Sequence, residues 1–156
     1  MKPYNELTRV GTIRRLRQLV LKALEAYDLH VERVEFLTIE TNTMFQIRST
    51  DGERFVLRIY SDEETTLREN QAEMFWLNAL KRDTDLNVTE PIARRDGEYI
   101  TKVCVPGVPD ERRCALFKWI PGQTLDIFLS AESHYQLGQT LAKMHNHANT
   151  LEPLPS

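Results

Sequence analysis

Apolar side chains recur at three- and four-residue steps through residues 8–27: Val10, Ile13, Leu16, Val20, Leu24 and Tyr27. That period predicts an amphipathic helix with one face turned to a core. Arg9, Arg14, Arg15, Arg17 and Lys22 cover much of its remaining surface and read as a solvated face. The period then shortens. Residues 31–39 carry apolar positions at Val31, Val34, Phe36 and Ile39, residues 44–49 alternate less cleanly, and residues 53–60 are rich in β-branched and aromatic side chains. These predict three strands. The last two meet at Ser49-Thr50-Asp51-Gly52, whose Asp-Gly pair suits a tight hairpin.

A second helix is expected next. Ser61-Asp62-Glu63-Glu64 has the form of a capping box, with Ser61 capping and Glu64 reaching back. The helix is expected to run to about Lys81, with Met74, Leu77 and Leu80 as its apolar stripe and Trp76 beside them. Asp83-Thr84-Asp85 and Pro91 break the pattern. Strands over 98–104 and 113–119 flank the loop Val105-Pro106-Gly107-Val108-Pro109, and Ile120-Pro121-Gly122 stops the second. A short helix is expected near Thr124. A longer one spans 131–148, capped by Ser130, with apolar positions at Leu137, Leu141, Met144 and Ala148. Five strands around one large helix make a small α+β lobe.

Composition narrows the class of protein. The 156 residues are 41% hydrophobic and 28% charged, enough for one real core. The net charge of -3 argues against general nucleic-acid binding, which needs a basic surplus. Cys104 and Cys114 are two isolated cysteines, read as small buried hydrophobes in a reducing compartment. The N-terminus lacks an apolar signal core, and no run approaches the roughly 18 apolar residues that span a bilayer. A cytoplasmic protein is expected, with no membrane and no nucleic acid among its partners. His145 and His147 lie two apart, hence about 200° apart around a helix, and cannot share a metal.

Three features could carry chemistry. In Phe55-Val56-Leu57-Arg58, Val56 and Arg58 share a strand face about 7 Å apart. One face thus offers a flat apolar side chain and a long cation, which suits adenine over Val56 and phosphates near Arg58. On the following helix, Glu69 and Glu73 occupy adjacent turns, and either could reach Arg58. Glu73 has the better setting, four and seven residues before Leu77 and Leu80. A carboxylate held against the cation would fix its rotamer for a ligand. The third feature is Ala115-Leu116-Phe117-Lys118-Trp119-Ile120-Pro121-Gly122, an apolar strand running into a stop. Such a linker exposes backbone groups able to bond an adenine edge.

Five blocks in order, Phe55-Val56-Leu57-Arg58-Ile59, Ala72–Leu80, Val88-Thr89-Glu90-Pro91-Ile92, Leu116–Gly122 and Leu137-Gly138 with Leu141–His145, resemble the phosphotransferase enzyme family of aminoglycoside phosphotransferases and choline kinases. The resemblance covers about residues 30–150. It implies a protein-kinase-like N-terminal lobe: a five-stranded antiparallel sheet with one large helix, preceded by a helix over 1–28, itself spanning 29–120, and followed over 121–156 by a hinge and the first helices of a truncated C-terminal lobe. It implies ATP as the ligand. Arg58 and Glu73 match the family's ion pair, and Phe117 the residue behind the adenine pocket. Lys118 and Ile120 match the backbone groups at adenine, with Trp119 between them. Asn42 and Thr43 fall in the turn over the phosphates, which here lacks glycines.

The family's catalytic His-Gly-Asp segment, its following Asn and its magnesium-binding Asp have no counterpart, and no Asp follows Asp126. The chain alone is therefore expected not to catalyse, and Mg2+ is expected only in a full-length protein. A non-catalytic lobe that binds a partner protein, and an α+β domain with no nucleotide role, are the competing readings. The apolar stripe of the 131–148 helix is expected to be uncovered and to support a homodimer.

Overall fold

The computed structural model describes residues 2–61, 63–122 and 130–151. The expected short helix near Thr124 lies outside the described residues. After a 3-10 turn, Tyr4–Glu6, helix α1 spans Arg9–Leu24, with the Thr8 hydroxyl accepting from the Gly11 N–H. Strands β1 (Val31–Ile39), β2 (Thr43–Ser49) and β3 (Arg54–Ile59) follow, then helix α2 (Leu67–Asp83). Strands β4 (Pro91–Ile92), β5 (Thr101–Val103) and β6 (Arg112–Lys118) lead to helix α3 (Ala131–Ala148).

All described strand pairs are antiparallel, and the sheet runs β1-β2-β3-β6-β4 with β5 also on β6. Among the described residues it has six strands rather than the expected five. β4 pairs Pro91 and Ile92 with Phe117 and Leu116, while β5 pairs with Arg112 to Cys114, so the two share one edge of β6 end to end. A two-residue strand that opens on proline leaves no alternating pattern to read, but proline is tolerated where no ladder N–H is needed.

Each face of the sheet is covered by a different helix. Phe45, Ile47, Leu57, Cys114 and Leu116 on one face pack against Leu16, Leu19, Val20, Ala23 and Leu24 of α1. Burial of each of the leucine, isoleucine, valine and phenylalanine side chains among them contributes about 1.5–3 kcal/mol. Ala115 and Phe117 on the other face join Met74 of α2, with Tyr60 and Ile100. Strand β2 alternates buried and less buried positions throughout. Its sequence blurs this, because polar Thr43 and Ser49 sit on the buried face and apolar Met44 on the open one. Gly52, with φ of 86°, supplies the left-handed residue of the β2–β3 hairpin.

Several expectations are corrected. Val10 is 58% exposed, and the inward face of α1 is completed by Leu19 and Ala23 instead. Cys104 is exposed and Cys114 buried. The capping box belongs to Thr66 and Glu69, not Ser61 and Glu64, so α2 begins at Leu67. Both pairs fit the same four-residue pattern. The Ser61 N–H, however, donates to Asn42 Oδ1, and its carbonyl accepts from Glu64 and Thr65 in a separate turn.

Candidate functional site

Alternation along β3 puts Val56 and Arg58 on the face away from α1, with Phe117 and Ala115 paired beside them on β6. The Arg58 guanidinium donates from Nη1 to Glu73 Oε1 at 2.6 Å. Both side chains are half-buried, at 21% and 32% exposure, so the pair keeps contact with solvent while being screened less than a surface pair. The guanidinium carbon lies 4.7 Å from the Phe117 ring centre and 5.6 Å from that of Tyr60. Two aromatic faces and one carboxylate therefore hold the cation.

Of the two glutamates, only Glu73 reaches Arg58. Glu69 is turned to the helix start, where its carboxylate accepts from the Thr66 N–H at 2.7 Å. One residue of the cluster escaped the sequence reading. The Tyr60 hydroxyl donates to Glu73 Oε2 at 2.9 Å. Burial first, and the Glu73 charge second, push the Tyr60 hydroxyl above the usual phenol range, so it stays protonated as a donor. The signal was present: Tyr60 lies two residues after Arg58 and so shares its face.

A second pin fixes α2 to the sheet. The buried Arg113 donates from Nη1 to Asn70 Oδ1 at 2.7 Å and from Nη2 to the Thr65 carbonyl. Asn70 lies in the first turn of α2, about one turn before Glu73, and Thr65 immediately precedes the Thr66 cap. Nothing in the spacing of Arg113 and Asn70 announces this contact, since they come together only when β6 crosses under α2.

The remaining expected site residues sit as follows. Phe117 is buried at the back of the Arg58 face. The Lys118 N–H donates to the Glu90 carbonyl, and its own carbonyl accepts from the Thr89 hydroxyl at 3.1 Å, with a second lone pair remaining. Its ammonium pairs with Glu53 over the Phe55 ring. Trp119 donates its backbone N–H to the Arg54 carbonyl and receives the Arg54 guanidinium on its ring. Ile120 is partly exposed just beyond β6. Asn42 spends its side-chain carbonyl on the Ser61 N–H at 3.2 Å, which ties the β1–β2 turn to the end of β3. Thr43 is paired with Ile59 on the opposite face from Arg58, so its hydroxyl is not brought to the cluster. Among the described residues, no group of three or more His, Cys, Asp or Glu is placed to hold a metal.

Comparison with known proteins identifies the family and the fold. The profile of the phosphotransferase enzyme family matches residues 35–156. An uncharacterised protein, sll1119, of Synechocystis sp. is 33% identical over 104 residues, which are 67% of this chain and 28% of that one. A microcompartment-associated aminopropanol kinase superposes with a TM-score of 0.73 at 23% identity, over 88% of this chain and 42% of its own. The amicoumacin kinase hAmiN, solved in complex with AMP-PNP, Ca2+ and Ami, superposes with a TM-score of 0.73 at 17% identity, over 95% of this chain and 45% of its own. The chain thus spans less than half the length of each of these relatives.

Proposed function

The chain belongs to the phosphotransferase enzyme family, and from that premise we propose that it forms the ATP-binding part of a kinase-like enzyme. Such an enzyme moves the γ-phosphoryl group of ATP to a hydroxyl of a small molecule or of a protein Ser or Thr. The observation that carries the reading is the half-buried Arg58–Glu73 pair, on the same strand face as Val56 and in front of Phe117. Adenine would lie over Val56 with its edge toward the backbone of Lys118 and Ile120, flanked by Trp119. The phosphates would reach Arg58, under a turn set by Asn42. That an amicoumacin kinase of this fold was solved with AMP-PNP and Ca2+ supports nucleotide and divalent cation as ligands of the architecture.

These 156 residues are proposed to bind ATP without transferring phosphate by themselves. They contain no His-Gly-Asp segment and no Asp beyond Asp126. A carboxylate to orient an attacking hydroxyl, and a donor set for magnesium, are both required for transfer. A second reading, a non-catalytic lobe that binds a partner protein, is favoured by the apolar side chains exposed on α3.

The test is thermal melting with and without MgATP. A rise is expected in the parent chain and most of it should vanish in Arg58→Ala, which removes the phosphate-facing cation. No rise at millimolar ATP would count against a nucleotide site. Labelled phosphate appearing on a hydroxyl acceptor with this chain alone would refute the non-catalytic part.

A further inference from the structure

We infer that Tyr60 is a positioning residue that stops Arg58 from closing a two-pronged contact on Glu73, and so keeps guanidinium donors available to a triphosphate. The inference rests on the nucleotide reading above.

An arginine facing a carboxylate tends to form two parallel N–H···O bonds, since its fork matches the spacing of the two oxygens. That geometry would occupy the guanidinium with its protein partner and leave less of it for a ligand. A lysine, with one point-like ammonium, has no such fork. The position on β3 is filled here by Arg58. Glu73 nevertheless accepts only one of its nitrogens, Nη1 on Oε1. Its other oxygen, Oε2, is taken by the Tyr60 hydroxyl at 2.9 Å. Arg58 Nε is buried and has no hydrogen-bond partner among the described residues, as expected of a fork that has not closed.

Tyr60 is fitted to this task. It is 2% exposed, and its backbone N–H donates to the Arg113 carbonyl at 2.9 Å, which fixes the residue to β6. Its ring supports the guanidinium from a second side. Glu73 cannot rotate its carboxylate without giving up either the Arg58 or the Tyr60 bond. Removing only the hydroxyl frees Oε2 and lets Arg58 turn its fork inward.

The decisive measurement is calorimetric titration of MgATP and of adenosine into the parent chain, Tyr60→Phe, Arg58→Lys and the double variant. Tyr60→Phe should weaken MgATP by about tenfold, the loss of one hydrogen bond to a charged group, and change adenosine by less than about twofold. In the Arg58→Lys background, adding Tyr60→Phe should cost less than about twofold, because lysine has no fork to close. Unchanged MgATP affinity in Tyr60→Phe overturns the inference. So does an equal loss for adenosine, or a full cost persisting in the Arg58→Lys background. A parent chain that binds neither ligand overturns the nucleotide reading, and the inference with it. If Tyr60→Phe does not fold, nitrogen resonances of the Arg58 guanidinium in the parent chain decide: they should shift on MgATP addition, and an unresponsive guanidinium overturns the proposal.

Discussion

Arg113 illustrates how much a single buried side chain can set. Its guanidinium lies under the start of α2 and its partners include Asn70 Oδ1 and the Thr65 carbonyl. Replacing it with Met keeps most of the volume but leaves Asn70 and Thr65 without a buried donor. Removing one partner from such a network costs far more than the net worth of the bond, so Arg113→Met should destabilise by about 2–4 kcal/mol, measured by urea unfolding. The same variant should weaken MgATP binding, since α2 carries Glu73. Full stability in Arg113→Met would mean that α2 is held by its apolar face alone. Arg113 also shows why the site was only partly legible. The pairing of Arg58 with Glu73 could be proposed from strand and helix periods, whereas the Arg113–Asn70 contact has no periodic trace.

Among elements, the contact between α2 and α3 has a pH dependence that can be worked out. His147 is buried, and its Nε2 lies 3.1 Å from Asp83 Oδ2 at the end of α2. Lys143, one turn earlier, pairs with Asp85 at 2.7 Å. Hydrogen bonds from Arg82 first, and His147 second, hold the Asp83 carboxyl down at about 2. Because the folded value lies below the ordinary 3.8, the ionised carboxylate stabilises the fold above about pH 4, and that contribution disappears as pH falls towards 2. Asp83→Asn should therefore flatten the fall of melting temperature between about pH 4 and about pH 2, followed by circular dichroism. Parallel curves for the two proteins would show that Asp83 is not held below its ordinary range. The helix ends themselves were legible in part. Ser130 caps α3 as its sequence suggests, through the Ser133 N–H at 3.1 Å. The start of α2 was misplaced because two Ser/Thr-x-x-Glu patterns lie five residues apart, and only the fold decides which one has a free helix end to cap.

At the scale of the whole molecule, a helix packs on each face of the sheet, while α3 leaves apolar side chains exposed. Tyr135, Leu137 and Leu141 on α3 are exposed at 63%, 43% and 45%. Exposed apolar stripes tend to find a partner, so the chain is expected to form a homodimer through α3. Light scattering at rising concentration should report a mass near twice that of the monomer, and Leu137→Glu with Leu141→Glu should return it to the monomer. A parent chain that stays monomeric at high concentration would rule this out.

The amino-acid sequence by itself determined the local periods: which segments are helices or strands, which face of each is apolar, and that Val56 and Arg58 point the same way. Those properties are local, set by 3.6-residue and 2-residue repeats and by caps within a few residues. Order and spacing of the blocks also carried the family, because many weak signals in one order are jointly specific. Tertiary structure alone decided which glutamate takes Arg58, that Tyr60 occupies the other oxygen, that Thr43 faces away, and that two short strands share the edge of β6. These depend on register and on how helices cross the sheet, which are fixed by packing between segments far apart in the chain. The charged pair was thus foreseeable from local pattern, and the Tyr60 hydroxyl on the other oxygen of Glu73 became visible only once α2 had docked.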